Sequence, residues 1–592
     1  MAFLSILCRF NGLRRPGMLA FFLALAACGS EGGGCAGCGD TPIPGGFPSA
    51  EALGGGGQFR ISQHGVEYLE KNFVPLITGV LGTDVAFPIP PSCDSATKVC
   101  CRGNACEATL DIVSVKITPK EPRTVELRLN TKVQTTAIDV EQNLFITSKL
   151  CSIEFDTLAN PTPPTVGLDI AIDLTIGADK RLEVKSNSLT FSNFQCGDLD
   201  IYHPDCRLPN PPFWCPVDAC IAAEWVCPFF KGVLQNMLAS PVESAIDEML
   251  EAVPLGMATR LDVASLLQGM TSSNGQLDTF VWAGGSTQVE NGGVSSGALT
   301  GFRPVAHDPC VPDCSRDDVD CQVPPGGPLA PSEVFAGNER PDGQPFHVGI
   351  GLHRVALDHL AYGLYSSGGL CVDITTYEMP TLNSGIFQLL VPSLGRLTAN
   401  RVVPVRVSIR PRKPPRLALG KGTTRQDGSG KEVIDEPLLR VLAEEMVMEI
   451  YAMIDERYVR IFSVIGDLDL PLLMRADEQG RLAFIIGSLK DALHDVRVEN
   501  SELLAEDPVK LAAVFPTLIG IATGFLNSGF DPIELPEVQG IKLALGDGSI
   551  TSVDNNQLLA IFADLEVPAQ NTSASGDLLA QAVDTRAVDT RA

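Results

Sequence analysis

The segment Gly293-Val294-Ser295-Ser296-Gly297 has the G-x-S-x-G spacing that can hold a serine nucleophile on a sharp turn between a buried strand and a helix. Its flanks do not suit that role. A Gly/Asn-rich stretch precedes it, and Ala298-Leu299-Thr300-Gly301-Phe302 reads as a short strand, so a secreted hydrolase using Ser295 is the weakest of three functional readings. His307 with Cys310, Cys314 and Cys321 could offer one imidazole and three thiolates to zinc. The same loop carries Asp313, Asp317, Asp318 and Asp320, which is either a loose calcium set or a solvated loop. His353 and His359 lie six apart, which is not one face of a helix, so they are expected to be ordinary helix residues. No catalytic residue, metal ligand or cofactor is assigned, and the chain is expected not to be an enzyme.

One cysteine has a different chemistry in prospect. Arg9, Arg14 and Arg15 precede the apolar run Met18 to Ala27, which is too short to span a bilayer and has the layout of an export signal. The run ends Leu25-Ala26-Ala27-Cys28, the pattern of a lipoprotein signal box, in which the Cys28 thiol would be lipidated before cleavage. Residues 1–27 are therefore read as a signal peptide. Residues 28–57, rich in Gly, Ser and Pro, are read as a tether to the membrane. Gly29 and Ser30 after the cysteine favour the outer membrane, facing either the periplasm or the cell surface. Export also decides the state of the other cysteines: of 18, Cys8 leaves with the signal and Cys28 is acylated, which leaves an even number in an oxidising compartment. Disulfides are thus expected to take the thiols that zinc would need, and Cys371 is one candidate partner for the odd member of the Cys310 cluster.

The chain has 592 residues and a formal net charge of -27, so bulk attraction to nucleic acid is excluded as a working principle. Such a length accommodates several domains. After Cys371 there are no cysteines, so the rest of the chain must be held by core packing.

The elements that would position a site follow from periodicity. Residues 61–81 place Val66, Leu69, Phe73, Leu76 and Val80 three and four apart, predicting an amphipathic helix. Residues 108–195 alternate with a period of two, as in Leu168, Ile170, Ile172, Leu174 and Ile176, predicting half-buried antiparallel strands. A Cys-rich loop and helical spacing over residues 229–253 follow, and Pro, Gly and Asp mark a linker at 304–346. Ile350, Leu357, Leu360, Ala361 and Leu364 predict a second greasy helical face. Strand-like runs lie near 402–410, 415–419, 458–465 and 481–487, then a helix capped by Asp507, then strands at 538–545 and 558–567. The repeated order helix, strands, helix suggests internal duplication. The alternative is two unrelated α+β domains.

Arg60-Ile61-Ser62-Gln63-His64-Gly65-Val66-Glu67-Tyr68, Cys227 before a helical segment, Val348-Gly349-Ile350-Gly351-Leu352 with Ala361-Tyr362-Gly363-Leu364-Tyr365, and the closing segments within 509–567 together resemble the bactericidal permeability-increasing and lipopolysaccharide-binding protein family of the tubular lipid-binding superfamily. The resemblance implies an α+β fold of two tandem barrels, each a twisted antiparallel sheet wrapped on a long helix, joined by a central sheet. It places the barrels at 58–303 and 347–568; the tail at 569–592, which ends in a direct repeat with little apolar content, is expected from its composition to be disordered. It also implies a barrel disulfide from Cys227 to Cys151 or Cys196, beside the candidate disulfide residues Cys310, Cys314 and Cys321.

The implied function is to bind a phospholipid or other hydrophobic ligand in apolar slots, as a lipoprotein tethered through Cys28, with transfer and storage both open. The slot residues expected are Val66, Leu69, Phe73, Leu76 and Val80, and in the second barrel Ile350, Leu357, Leu360, Ala361 and Leu364. The acidic balance does not support recognition of lipopolysaccharide phosphates. The rival reading is a surface structural or adhesion lipoprotein that binds a protein or glycan through disulfide-stapled loops.

Overall fold

The computed structural model describes residues 40–81, 85–89, 97–101, 106–136, 138–144, 147–157, 166–193, 199–202, 255–263, 273–312, 326, 329–513 apart from 378, 381, 429, 431 and 488–491, and 532, 537–538 and 541–566. The signal segment, Cys28, Cys196, Cys227, Cys314, Cys321 and the helical spacings at 229–253 and 514–527 lie outside the described residues. Cys151 lies on a strand, and its side chain is outside them too.

The strands used below are β1 (Leu53–Ile61), β2 (Cys106–Lys120), β3 (Thr124–Thr135), β4 (Val166–Ile176), β5 (Leu182–Ser192), β6 (Gln276–Glu290), β7 (Gly293–Pro304), β8 (Val348–His353), β9 (Leu439–Ile454), β10 (Arg457–Ala476), β11 (Ile541–Val553) and β12 (Leu558–Glu566). The helices are α1 (Gln63–Leu81), α2 (Arg354–Ser366), α3 (Ser384–Leu390) and α4 (Pro392–Leu397).

The architecture corrects the expected fold class. Among the described residues the protein is predominantly β, 57% strand against 14% helix, built from several antiparallel sheets, and no long helix wrapped by a barrel is present there. The dimensions explain why. At about 1.5 Å per residue the 13 residues of α2 extend roughly 20 Å, whereas the 20 residues of β10 at about 3.3 Å each extend roughly 66 Å, so the helix runs beside less than half of such a strand. Part of the second greasy helix is also a strand: Ile350 lies on β8, and helix begins only at Arg354. Val348, Ile350 and Leu352 alternate with Gly349 and Gly351, and those glycines are required because the rings of Phe335 and Phe346 stand over them. A Cβ on Gly351 would come within 2.9 Å of the Phe335 ring, and one on Gly349 within 3.1 Å.

A nine-stranded antiparallel sheet draws on both halves of the chain, in the order Asp40–Pro42, Gly256–Asp262, β6, β7, β1, β8, β12, β11, Glu537–Val538. β1 is its hinge in sequence, paired to β7 on one side and to β8 on the other. A five-stranded sheet has the order β5, β4, β3, β2, Val85–Ile89. A seven-stranded sheet contains β9 and β10, whose registered pairing runs from Leu439↔Leu472 to Ile454↔Arg457. The last strands are held as the absence of nearby cysteines requires, by packing: Leu438, Leu472, Leu482, Leu545, Leu559 and Ile561 form one buried cluster.

Candidate functional site

The first candidate site is built around α1. Its start is fixed by residues of the Arg60-to-Tyr68 segment. Ser62 is the N-cap: its hydroxyl accepts from the Gly65 amide at 3.1 Å and donates to the Phe346 carbonyl. Gly65 is needed because a Cβ there would lie 2.3 Å from the His347 carbonyl oxygen. Tyr68 then packs on the His347 ring, 4.8 Å between centroids.

Arg60, fully buried on β1, donates to the carbonyls of Gly337 at 3.1 Å and Glu290 at 3.2 Å, to the Ser295 hydroxyl at 2.9 Å and to the Asn338 side-chain oxygen at 3.0 Å. Burial pushes its pKa down, and the Glu290 carboxylate pulls it back up. The segment that carried the family resemblance therefore does architectural work: it ties β1, the β6–β7 turn and the 337–347 segment to the head of α1.

Further along, α1 lies on an open sheet edge. Glu70 accepts from the Lys116 ammonium at 3.1 Å and from the Ile117 amide at 3.1 Å, so a helix side chain takes a strand donor that has no neighbouring strand there among the described residues. Beside this edge the five-stranded sheet presents aliphatic ladders, because directly opposed residues share a face. Val115, Leu129 and Leu168 form one row; Ile117, Leu127, Ile170 and Leu189 form the next; Val125 and Ile172 follow. Burial grades across these rows. Leu168, Ile170 and Ile172 are buried, whereas Ile117, Leu127, Val125 and Leu189 are half-buried and the neighbouring Val113 is exposed.

Of the first five expected slot residues, Val66 is buried and Leu69 half-buried. The side chains of Phe73, Leu76 and Val80 lie outside the described ones. The sequence reading missed the strand side of this site, although the alternation at 115–129 already carried it.

The second set is placed differently. Leu357 and Ala361 pack into the cluster containing Leu417, Leu438, Leu559 and Ile561, while Leu360 and Leu364 pack with Met257, Leu261 and Leu277. These four side chains are 0 to 7% exposed and contribute to two separate buried clusters. Ile350 is half-buried between β1 and β12. The helix carries a buried carboxylate as well: Asp358 accepts from the Leu417 amide at 2.9 Å and from Arg354 at 3.0 Å, and burial pushes its pKa up.

The residues with catalytic or ligating spacing are occupied structurally. Ser295 sits within β7, where its hydroxyl donates to the Phe335 carbonyl at 2.7 Å and accepts from Arg60. Cys310 is joined to Cys371 in a disulfide, one of the pairings left open by the sequence, and so supplies no thiolate. His307 contacts the Ser366 hydroxyl and the Val311 carbonyl, each at 3.3 Å. His353 is the N-cap of α2, accepting from the Val355 amide at 3.2 Å, and burial followed by the charge of Arg354 lowers its pKa. Among the described residues no three His, Cys, Asp or Glu are grouped to hold a metal ion, and no helix is long and apolar enough to cross a membrane.

Fold and site together define a predominantly antiparallel β protein in which an amphipathic helix borders an aliphatic sheet face. No protein-family model and no curated protein sequence matches the chain. Solved structures give distant likenesses at the level of fold. Lipopolysaccharide binding protein is 11% identical over 87% of this chain and 100% of its own, with a TM-score of 0.34. The P47 protein of Clostridium botulinum E1 is 9% identical over 87% of this chain and 100% of its own, at a TM-score of 0.23. P47 from Clostridium botulinum A2 is 9% identical over 88% of this chain and 99% of its own, also at 0.23.

Proposed function

We propose that the protein is an exported lipoprotein, tethered through Cys28, that binds a hydrophobic ligand on the aliphatic face of the five-stranded sheet beside α1. The supporting observation is the incomplete cover on the ladders: Ile117, Leu127, Val125 and Leu189 are only half-buried by the protein's own side chains, as is Leu69 on α1. A hydrocarbon chain laid along them gains about 0.8 kcal/mol per methylene removed from water, so ten methylenes supply roughly 8 kcal/mol before the costs of ordering. A polar headgroup would stay in water at the helix-bordered edge, near Lys116 and Glu70. Anchoring keeps this face close to the membrane that holds the ligand, and nothing in the reaction requires covalent chemistry.

The test is organic extraction of gently purified protein followed by mass spectrometry. Stoichiometric lipid is expected on the wild-type chain, and Leu69→Asp should lower it because a carboxylate replaces a half-buried apolar contact. Absence of lipid from the wild type, or equal lipid on the variant, overturns the reading.

A further inference from the structure

A second, polar site lies on the nine-stranded sheet, away from the aliphatic ladders. The β6–β7 pairing slips from Ala283↔Ala298 to Thr287↔Ser296, so three residues on β6 oppose one on β7. Such a bulge bends a strand and re-aims its side chains. Here it opens a cleft of about 80 Å³ between β1, the bulge and the 331–335 segment. Gly297 faces the bulge, and a Cβ on it would lie 2.7 Å from the Gly284 carbonyl and 2.8 Å from the Ser286 hydroxyl.

The lining is rich in neutral hydrogen-bonding groups. Gln58 is only 6% exposed. Its side-chain carbonyl accepts from the Ser332 amide at 3.0 Å, which fixes the amide orientation and leaves its NH2 group lining the cleft with no partner among the described residues. The exposed hydroxyl of Ser286 has none either, and the hydroxyls of Ser296 and Ser332 stand nearby, with the Phe335 ring as an apolar wall. The amide nitrogen is open to the cleft and not sealed off from water, so a ligand would replace water on two donors already held in place. The one carboxylate, Glu290, is held by Gln288 at 3.2 Å and lies in the field of Arg60 beneath, so the cleft calls for no net charge.

We infer that this cleft binds the end of an uncharged polyol. A water needs about 10–15 Å³ of such space, so the cleft admits several waters, and in their place two or three adjacent hydroxyl-bearing carbons. Gln58 donates to one hydroxyl oxygen and Ser286 and Ser296 exchange hydrogen bonds with the next, while the C–H face lies on Phe335. This chemistry is carried by a terminal sugar or by a glycerol headgroup, and the site is independent of the hydrophobic-ligand reading.

The test is ligand-detected saturation-transfer NMR on the purified chain, with methyl glucoside and methyl galactoside as probes for a sugar end and glycerol as the probe for a headgroup. Transfer to one or more probes is expected, and the probe that responds identifies the source. Gln58→Leu should weaken binding about tenfold, the equivalent of one lost hydrogen bond to a buried donor. Because Gln58→Leu also removes the acceptor of the Ser332 amide and can unfold the segment, Ser286→Trp serves as the second variant. It fills the cleft mouth from an exposed position and should abolish transfer while leaving the circular dichroism spectrum unchanged. No transfer to any of the three probes, or transfer undiminished in folded Ser286→Trp protein, overturns the assignment.

Discussion

Replacing Arg60 by Met should destabilise the protein by about 3 kcal/mol. The figure follows from opposing terms. Met keeps most of the side-chain volume and removes a guanidinium whose burial costs several kcal/mol. It also strips donors from the Gly337 and Glu290 carbonyls, at an unmet desolvation cost of about 1–3 kcal/mol each, and one hydrogen bond apiece from the Ser295 hydroxyl and the Asn338 side-chain oxygen, which keep the Phe335 carbonyl and the Gln63 amide as partners. These losses together exceed the relief. Arg60→Lys should fall between, because a single ammonium cannot span acceptors that a planar guanidinium reaches from three nitrogens. Guanidinium chloride unfolding followed by circular dichroism measures both variants, with the expected order of midpoints wild type, Lys, Met. A Met variant as stable as the wild type, or more stable, would show that burying the charge costs as much as its hydrogen bonds return.

Three further outcomes are expected. Asp278 is fully buried; burial pushes its pKa up, but hydrogen bonds from Arg260 and Arg303 outweigh this and hold it below the usual carboxylate range. Its contribution to stability is therefore present above the unfolded value of about 3.9 and is lost as pH falls through the lower folded value, so Asp278→Asn should flatten the acid limb of the stability curve; parallel curves would refute it. The Cys310–Cys371 disulfide closes a separation of 61 residues, so Cys371→Ser should cost about 4 kcal/mol on the loop-entropy relation, read as a lowered melting temperature; an unchanged one would refute it. Gly65→Val should loosen the head of α1, since its Cβ meets the His347 carbonyl, and slowed amide exchange along residues 66–70 should be lost while β9 and β10 stay protected.

What could be read from the residues was what local periodicity encodes. The alternation at Leu168 to Ile176 is a strand as expected, the helix read over 61–81 runs Gln63–Leu81, and Asp507 caps the turn after it, accepting from the Val509 amide. Val348 to Leu352 misled because glycine at alternate positions hides a period of two, and the reason for those glycines is the distant Phe335 and Phe346. An apolar helical stripe has the same spacing whether it faces a ligand or a core, so the sequence around Leu360 could not show its packing with the distant Met257 and Leu277. The polar cleft was not legible at all: Gln58, Ser286 and Ser332 are separated by most of the first 332 residues and meet only through sheet register. Ser295 stood out for its motif spacing, whereas the structure shows its hydroxyl as a partner of Arg60.

Photo-crosslinking with a diazirine-bearing fatty acid, followed by peptide mass spectrometry, tests the hydrophobic-ligand site most directly because it reports where a hydrocarbon chain lies. Adducts should concentrate on peptides carrying Leu69, Ile117 and Leu127 and be competed away by unlabelled fatty acid. Adducts confined to other segments, or labelling at those peptides that competitor does not reduce, would contradict binding beside α1.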